Sequence, residues 1–527
     1  MKSIFRLLLP FLIVLPLVIL ASCNLLFSSA SDSDGSNRSS CYGSSYDPEI
    51  ETYESSGTTY FVDPSSGSDQ NSGSKSSPFA SLSYALSQMH GGELLLLEDG
   101  EYGDLKFGAT YYEGNNKCTP IDEVFPEWVT IKAVNLHQAK LGMVTLGTKT
   151  NDGGWFSIPF AQNGNSNLRL RIDGVQAEAI TVLGSRYADI RNCLITQSKD
   201  FSSLNNDEKA DFMGTAGVRA SCTRYVTVYN NEITNTGLGV TGMANDLVIK
   251  NNHIHHNMQD GIQIHGGTNW LIEGNVIHDL DDGIGDIDGQ PALPYGKHVD
   301  CIHMYMINAS ETYAHDTKNV TVRGNLFYHT ESMDVMINAN TAGGYYANFV
   351  WENNIFAPSN GNLFVMGAEF EGNNIFRNNT VVYTPNDQWT SHLGRSFGTG
   401  FDDPRSPHYY VQTWDVGAKR PGAQFYNNSM TSATIFNQGK GVVYKNIYYN
   451  GRSDRTLENE AGYNVADLPY EEITGDIQDY IDRGKIPGTL KAGSIAIGEG
   501  YMGEPALEVD FKGDARVGKP DIGALER

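Results

Sequence analysis

Residues able to hold a proton or a cation are concentrated between His253 and His329, where nine of the 13 histidines fall. Within that stretch Asp279, Asp281, Asp282, Asp286 and Asp288 alternate with glycines, and Lys297, His298 and Asp300 follow closely. Carboxylates on a glycine-rich loop are hard oxygen ligands in a deformable frame, a combination that suits Ca²⁺. Asp281, Asp282, Asp286, Asp288 and Asp300 are therefore the candidate metal ligands, although a solvated acidic loop that binds nothing has the same composition. His298 stands out because Lys297 and Asp300 adjoin it beside the acidic run. No histidine spacing matches a recognised zinc motif, and His253, His255 and His256 directly follow an Asn corner where imidazoles can stack and bond locally.

Three segments carry the alternation of a strand: Asp260–His265, Asp300–Tyr305 and Asp334–Ala339. Stacked on one another, they send Ile262, Ile264, Ile302 and Met304 to one side and Gln263, His265, His303 and Tyr305 to the other. Arg219 and Thr241 fall in matching columns of earlier segments, allowing a slip of one residue. Arg219, Gln263, His265, His303 and Tyr305 then share one outer face. Tyrosine there can stack on a sugar ring and arginine can pair with a carboxylate, so these are the candidate substrate contacts. Asp260, Asp300 and Asp334 open the three segments, as turn caps or as ligand contacts.

The elements that must position these side chains are set by an internal repeat of the form apolar, any, apolar, any, any, Asn, any, apolar. It recurs in Tyr225–Ile233, Asp246–Ile254, Asn269–Ile277, Asn319–Phe327 and Asn348–Phe356, with weaker copies around Asn192, Asn379 and Asn446. The clearest Asn spacings are 21, 23, 25 and 29 residues, too uneven for a helical repeat. Alternation identifies strands, and an Asn at each corner can bond its counterparts one coil above and below. The pattern resembles the right-handed parallel β-helix of the pectin lyase-like superfamily. That resemblance implies an all-β, single-domain solenoid over residues 58–527. Its capping helix would bury Phe79, Leu82, Leu86 and Met89, and a closing motif would run from Asp510 to Glu526.

Lys2 and Arg6 precede an apolar run from Leu7 to Ala21, the layout of a signal peptide rather than of a membrane span. Leu20–Cys23 resembles the bacterial lipobox. It implies a signal peptide at 1–22, lipidation of Cys23 and, with Asn24 next, an outer-membrane destination in the cell envelope. A signal that merely contains a cysteine is the plainer alternative. Residues 23–57, rich in Ser, Asp and Gly, read as a flexible tether. The five remaining cysteines are an odd number, so at least one thiol stays unpaired; Cys193 with Cys222 and Cys41 with Cys118 are conceivable pairs.

Lys and Arg number 37 against 62 Asp and Glu, a formal net charge of −25. Bulk attraction to nucleic acid or to an anionic membrane surface is thereby disfavoured, leaving the lipid as the membrane contact and a monomer as the expected state. The resemblance implies an acidic polysaccharide as partner and β-elimination as the reaction, in which a base removes the C5 proton of a uronic acid. Lys297, His298 and His303 are the candidate bases, and Ca²⁺ or Arg219 would neutralise the sugar carboxylate. Residues 281–286 partly resemble the calcium-binding aspartates of family-9 pectate lyases, with one residue more between the second and third aspartates. Two other readings stand beside the lyase. A polygalacturonase-like hydrolase would need a Gly-His-Gly segment, but Ile264 stands where its first glycine should be. A carbohydrate-binding solenoid would use the same face without a base.

Overall fold

The computed structural model describes residues 57–108, 110–113, 117–120, 124–147, 166–283, 299–305, 316–338, 346–357, 364–366, 370–382, 384, 387–398, 411–412, 424–430, 442–449, 463–503 and 506–527. Its strands wind into successive coils, so each pairs in parallel with the strand one coil before and one coil after. Strand Leu238–Lys250, for example, pairs with Ala216–Tyr229 on one side and with Ile262–Ile264 and Gly267–Glu273 on the other. Among the described residues, thirty-two strands join in this way into one continuous parallel β-helix.

Alternation along each strand decides what enters the bore. Val226 and Val228, Leu247 and Ile249, Trp270 and Ile272, Val320 and Val322, and Phe349 and Trp351 occupy equivalent places in five consecutive coils, all essentially inaccessible. Each such side chain contributes roughly 1.5–3 kcal/mol of burial relative to exposure. Further along, Phe327, Phe356, Phe376 and Phe425 stack ring on ring.

The Asn corner is a continuous ladder. The backbone N–H of Asn231 donates to Asn252 Oδ1, Asn252 to Asn275, Asn275 to Asn325, Asn325 to Asn354, Asn354 to Asn379, Asn379 to Asn428 and Asn428 to Asn446, at 2.9–3.1 Å. Each amide also donates to a carbonyl of a neighbouring coil, so buried polar groups at the bend are satisfied. Two details differ from expectation. Asn192 sits one place before the ladder, at whose foot the Cys193 N–H donates to Asn231 Oδ1. The left-handed conformation likewise belongs to the residue before each ladder Asn: Asn230, Asn251 and Asn353 have φ of 52–55°, and Gly274 and Gly324 serve the same place. The bend thus divides its labour, one residue supplying the backbone turn and the next the amide.

Both ends close as expected. Helix Leu82–Ser87, capped by Ser81, buries Leu82 and Leu86, and Phe79 and Met89 flank it in the core. At the far end Asp510 accepts from the N–H groups of Lys512, Asp514 and Glu526, while Arg516 pairs with Glu526 and donates to Asn353 Oδ1 at 2.9 Å. Cys193 is a buried free thiol 3.1 Å from the Arg191 carbonyl, which removes the Cys193–Cys222 pair; Cys301 is buried and free as well. The side chains of Cys41 and Cys118 lie outside the described residues, as does Cys23. No helix among the described residues is long and apolar enough to cross a membrane.

Candidate active site

One face of the solenoid is built by the strands Ala216–Tyr229, Leu238–Lys250, Ile262–Ile264, Asp300–Met304 and Met333–Ile337. Their register puts Arg219 beside Thr241, Thr241 beside Gln263 and Gln263 beside His303. The expected column is therefore present. It is not a solvated shelf: Arg219, Gln263, His265 and His303 are each under 10% exposed, and only Tyr305 and Asn338 are half-buried. The Arg219 guanidinium donates to the Gly214 carbonyl at 3.0 Å, just beyond helix Asn206–Met213, which helps wall this side.

Asp260 organises the face. Its Oδ1 accepts the Asp300 N–H at 3.0 Å; its Oδ2 accepts Gln263 Nε2 at 2.7 Å and lies 3.1 Å from His303 Nδ1. A carboxylate against Nδ1 fixes the proton there and leaves the Nε2 lone pair facing outward, where Asn338 Nδ2 sits 3.0 Å away. Asp300 Oδ2 is 3.6 Å from the same Nδ1. The Tyr305 ring packs against both imidazoles, 4.5 Å from His265 and 4.9 Å from His303 between centroids. Burial, reinforced by Asp260, pushes the Tyr305 phenol up to about 12, so it stays protonated at neutral pH. His265, 3.1 Å from the Thr241 hydroxyl, is held down to about 3 by burial, Arg219 and His303, and is a neutral imidazole. Burial brings Arg219 down to about 10, still a cation.

Asp334 departs from its expected column. Strand Met333–Ile337 pairs with a shift: Asp300 lies opposite Met333 and His303 opposite Met336, so Asp334 is level with Cys301. Burial and the nearby Asp300 raise its carboxyl well above the ordinary range. The same shift brings Asn338 level with Tyr305. A one-residue slip in the stacking is what hid Asn338 from the sequence reading.

Asp281 and Asp282 are inaccessible, not on an open loop, and with Glu331 they surround the Arg395 guanidinium. Arg395 Nη1 lies 2.5 Å from Asp281, 3.1 Å from Glu331 and 3.5 Å from Asp282, and Ser391 donates to Asp281 as well. A side-chain cation thus occupies the centre of this carboxylate group, which does not fit Ca²⁺. Nor does the trio of Asp260, Asp300 and His303, because calcium takes six to eight oxygen ligands and Asp260 is already committed on both oxygens. Asp286, Asp288, Lys297 and His298 lie outside the described residues.

The described part of the segment carrying Arg395 forms a hairpin, Gln388–Thr390 with Ser396–Gly398, that folds back on the solenoid. Trp389 stacks on His329 at 4.9 Å, and His329 bridges Asp279 and Asp387 at 3.4 and 3.2 Å.

Comparison with known proteins adds the following. The family described as "Right handed beta helix region" matches residues 160–294. Among solved structures, the chain is similar to pectate lyase Pel9A, at 14% identity over 93% of this chain and 99% of that one, with a TM-score of 0.39. It is similar to a rhamnogalacturonan lyase at 12% identity over 83% and 96% of the two chains, TM-score 0.36. PfbA, a surface adhesin of Streptococcus pneumoniae, is similar at 12% identity over 70% and 85%, TM-score 0.36. No curated protein matches the sequence. The right-handed β-helix architecture rests on the family match over residues 160–294 and on the parallel coil-to-coil pairing of the described strands.

Proposed function

We propose that the chain is a polysaccharide lyase that cleaves a uronate-containing acidic polymer by β-elimination, with His303 as the base. The observation that carries this reading is the Asp260–His303 pair, whose Nε2 shares one face with Arg219 and Tyr305. In the proposed step the sugar carboxylate binds Arg219 and draws the Asn338 amide away from His303. His303 Nε2 takes the C5 proton, the C5–H electron pair forms the C4–C5 double bond, and the C4–O4 bond breaks. Tyr305, protonated at neutral pH, gives its proton to the departing O4, and solvent restores both side chains. A positioned base is worth about 10²–10⁴ in rate.

A hydrolase would need two carboxyl groups on opposite sides of the scissile bond. Here Asp260 and Asp300 both lie at the Nδ1 side of His303, buried behind it. A purely binding solenoid would not need a carboxylate-oriented imidazole. Incubating the purified protein with pectate, alginate and glycosaminoglycans separates the three: ultraviolet absorbance of an unsaturated sugar supports the lyase, while new reducing ends without absorbance would replace it by a hydrolase. Retained binding with neither signal would leave only the adhesin-like role. Export and lipid attachment through Cys23 complete the proposal, placing the enzyme as a monomer on the outer membrane, where polymer is met; radiolabelled palmitate incorporation that survives Cys23→Ser would overturn the anchor.

A further inference from the structure

A second histidine group lies on a different face, on the strands Glu232–Thr234, His253–His255 and Val276–His278, which follow the ladder residues Asn231, Asn252 and Asn275. Ile233, Ile254 and Ile277 fill the core, and their neighbours face outward. The register sets Glu232 beside His253, and Thr234 beside His255 beside His278. Tyr328 closes the stack, its ring 4.5 Å from that of His278 and nearly parallel to it.

The imidazoles meet through nitrogen atoms, not only through ring faces. His253 Nε2 lies 2.7 Å from His278 Nε2, and His255 Nε2 lies 3.4 Å from Glu232 Oε1. One nitrogen from each of His253, His255 and His278 falls within 4.8 Å of the others. Asp279 Oδ2 accepts from His278 Nδ1 at 3.0 Å, which leaves the His278 Nε2 lone pair directed at His253. Carboxylate, histidine and then a cation is the order found in metal sites whose ligands are oriented from behind.

We propose that His253, His255 and His278, with Glu232 as the fourth ligand, bind one divalent transition-metal ion of the zinc class. Three imidazoles and one carboxylate match the tetrahedral nitrogen and oxygen preference of that ion and not the oxygen cage of Ca²⁺. With metal–nitrogen bonds of 2.0–2.1 Å, tetrahedral ligand atoms stand about 3.3 Å apart, so the His253–His278 pair needs to open by about half an ångström. Glu232, a third exposed, provides the way in. The ion would fasten three successive coils together beside the Asn ladder, and the site does not depend on the lyase reading.

Tag-free protein, stripped by a chelator, is titrated with Co²⁺ and followed by its visible absorption. The expected result is one equivalent bound with the intense bands of tetrahedral cobalt, displaced by Zn²⁺. Asp279→Asn should weaken binding about 10–100-fold. His253→Ala and His278→Ala should abolish the bands with the metal-free circular dichroism unchanged, and His303→Ala should keep them. X-ray absorption of the zinc-loaded wild type needs no variant and should show nitrogen and oxygen at about 2.0–2.1 Å with imidazole outer shells. No stoichiometric cobalt binding, bands that survive in His253→Ala and His278→Ala, or a zinc shell without imidazole would each overturn the site.

Discussion

The same few coils carry two histidine groups, and they differ in what each imidazole faces. On the active-site face His303 meets the Asp260 carboxylate and His265 meets the Thr241 hydroxyl. At the Asn corner His253 meets His278, and His255 meets His256 at 2.5 Å. Register produces the difference. Gln263 lies opposite His303, so unlike side chains alternate from coil to coil, whereas His255 lies directly opposite His278 and like meets like. An imidazole tied to a carboxylate has one nitrogen committed and one ready for a proton; imidazoles tied to each other are arranged to share something between them. Residue type alone does not assign chemistry in a solenoid, where the neighbour one coil away completes the group.

Substitutions can break this contrast, and the largest effect belongs to the base. His303→Asn should lower the elimination rate by about 10³-fold at unchanged substrate affinity, measured by initial rates of unsaturated product. Arg219→Ala should cost about 10²–10³-fold, because the developing negative charge loses its cation, and most of the loss should appear in kcat. Asp260→Asn, which leaves the His303 tautomer undirected, should cost about 10²-fold and flatten the pH–rate profile; an unaltered profile would reduce Asp260 to a turn cap.

Two histidines sharpen the comparison through stability, with opposite signs. His265 stays neutral in the folded chain down to about 3, while the unfolded chain takes up a proton below about 6.5, so stability falls as pH drops through that window. His265→Gln should remove up to about 1.4 kcal/mol per pH unit of that slope, read from urea midpoints. His329, which burial alone would lower, is lifted by Asp279 and Asp387 to about 9. Its stabilisation is complete below about 6.5 and is lost as pH rises through 9, so His329→Gln should flatten the alkaline limb; a steeper limb in the variant would contradict the assignment. The smallest effect concerns calcium. With Arg395 at the centre of Asp281, Asp282 and Glu331, adding Ca²⁺ should change the rate by less than about twofold.

Much of the fold was legible in the residues. The Asn repeat identified the corner and the strand alternation before it, and the column Arg219, Gln263, His303 followed from alternation alone. What escaped was register and long-range closure. The slip at Asp334 placed Asn338 one residue out of line, and local alternation has no means of detecting such a shift. Arg395 stands 114 residues from Asp281, so nothing local to the acidic run announces that a hairpin returns to neutralise it. The acidic run had the composition of a calcium loop because the balancing charge lies elsewhere in the chain.

The most direct test is a kinetic isotope effect on a uronate oligosaccharide deuterated at C5, followed by the absorbance of the unsaturated product. A normal primary effect in the wild type, with the rate lost in His303→Asn, is the result expected if this face removes the C5 proton. Cleavage without an unsaturated product, or an isotope effect of unity together with a fully active His303→Asn, would contradict it.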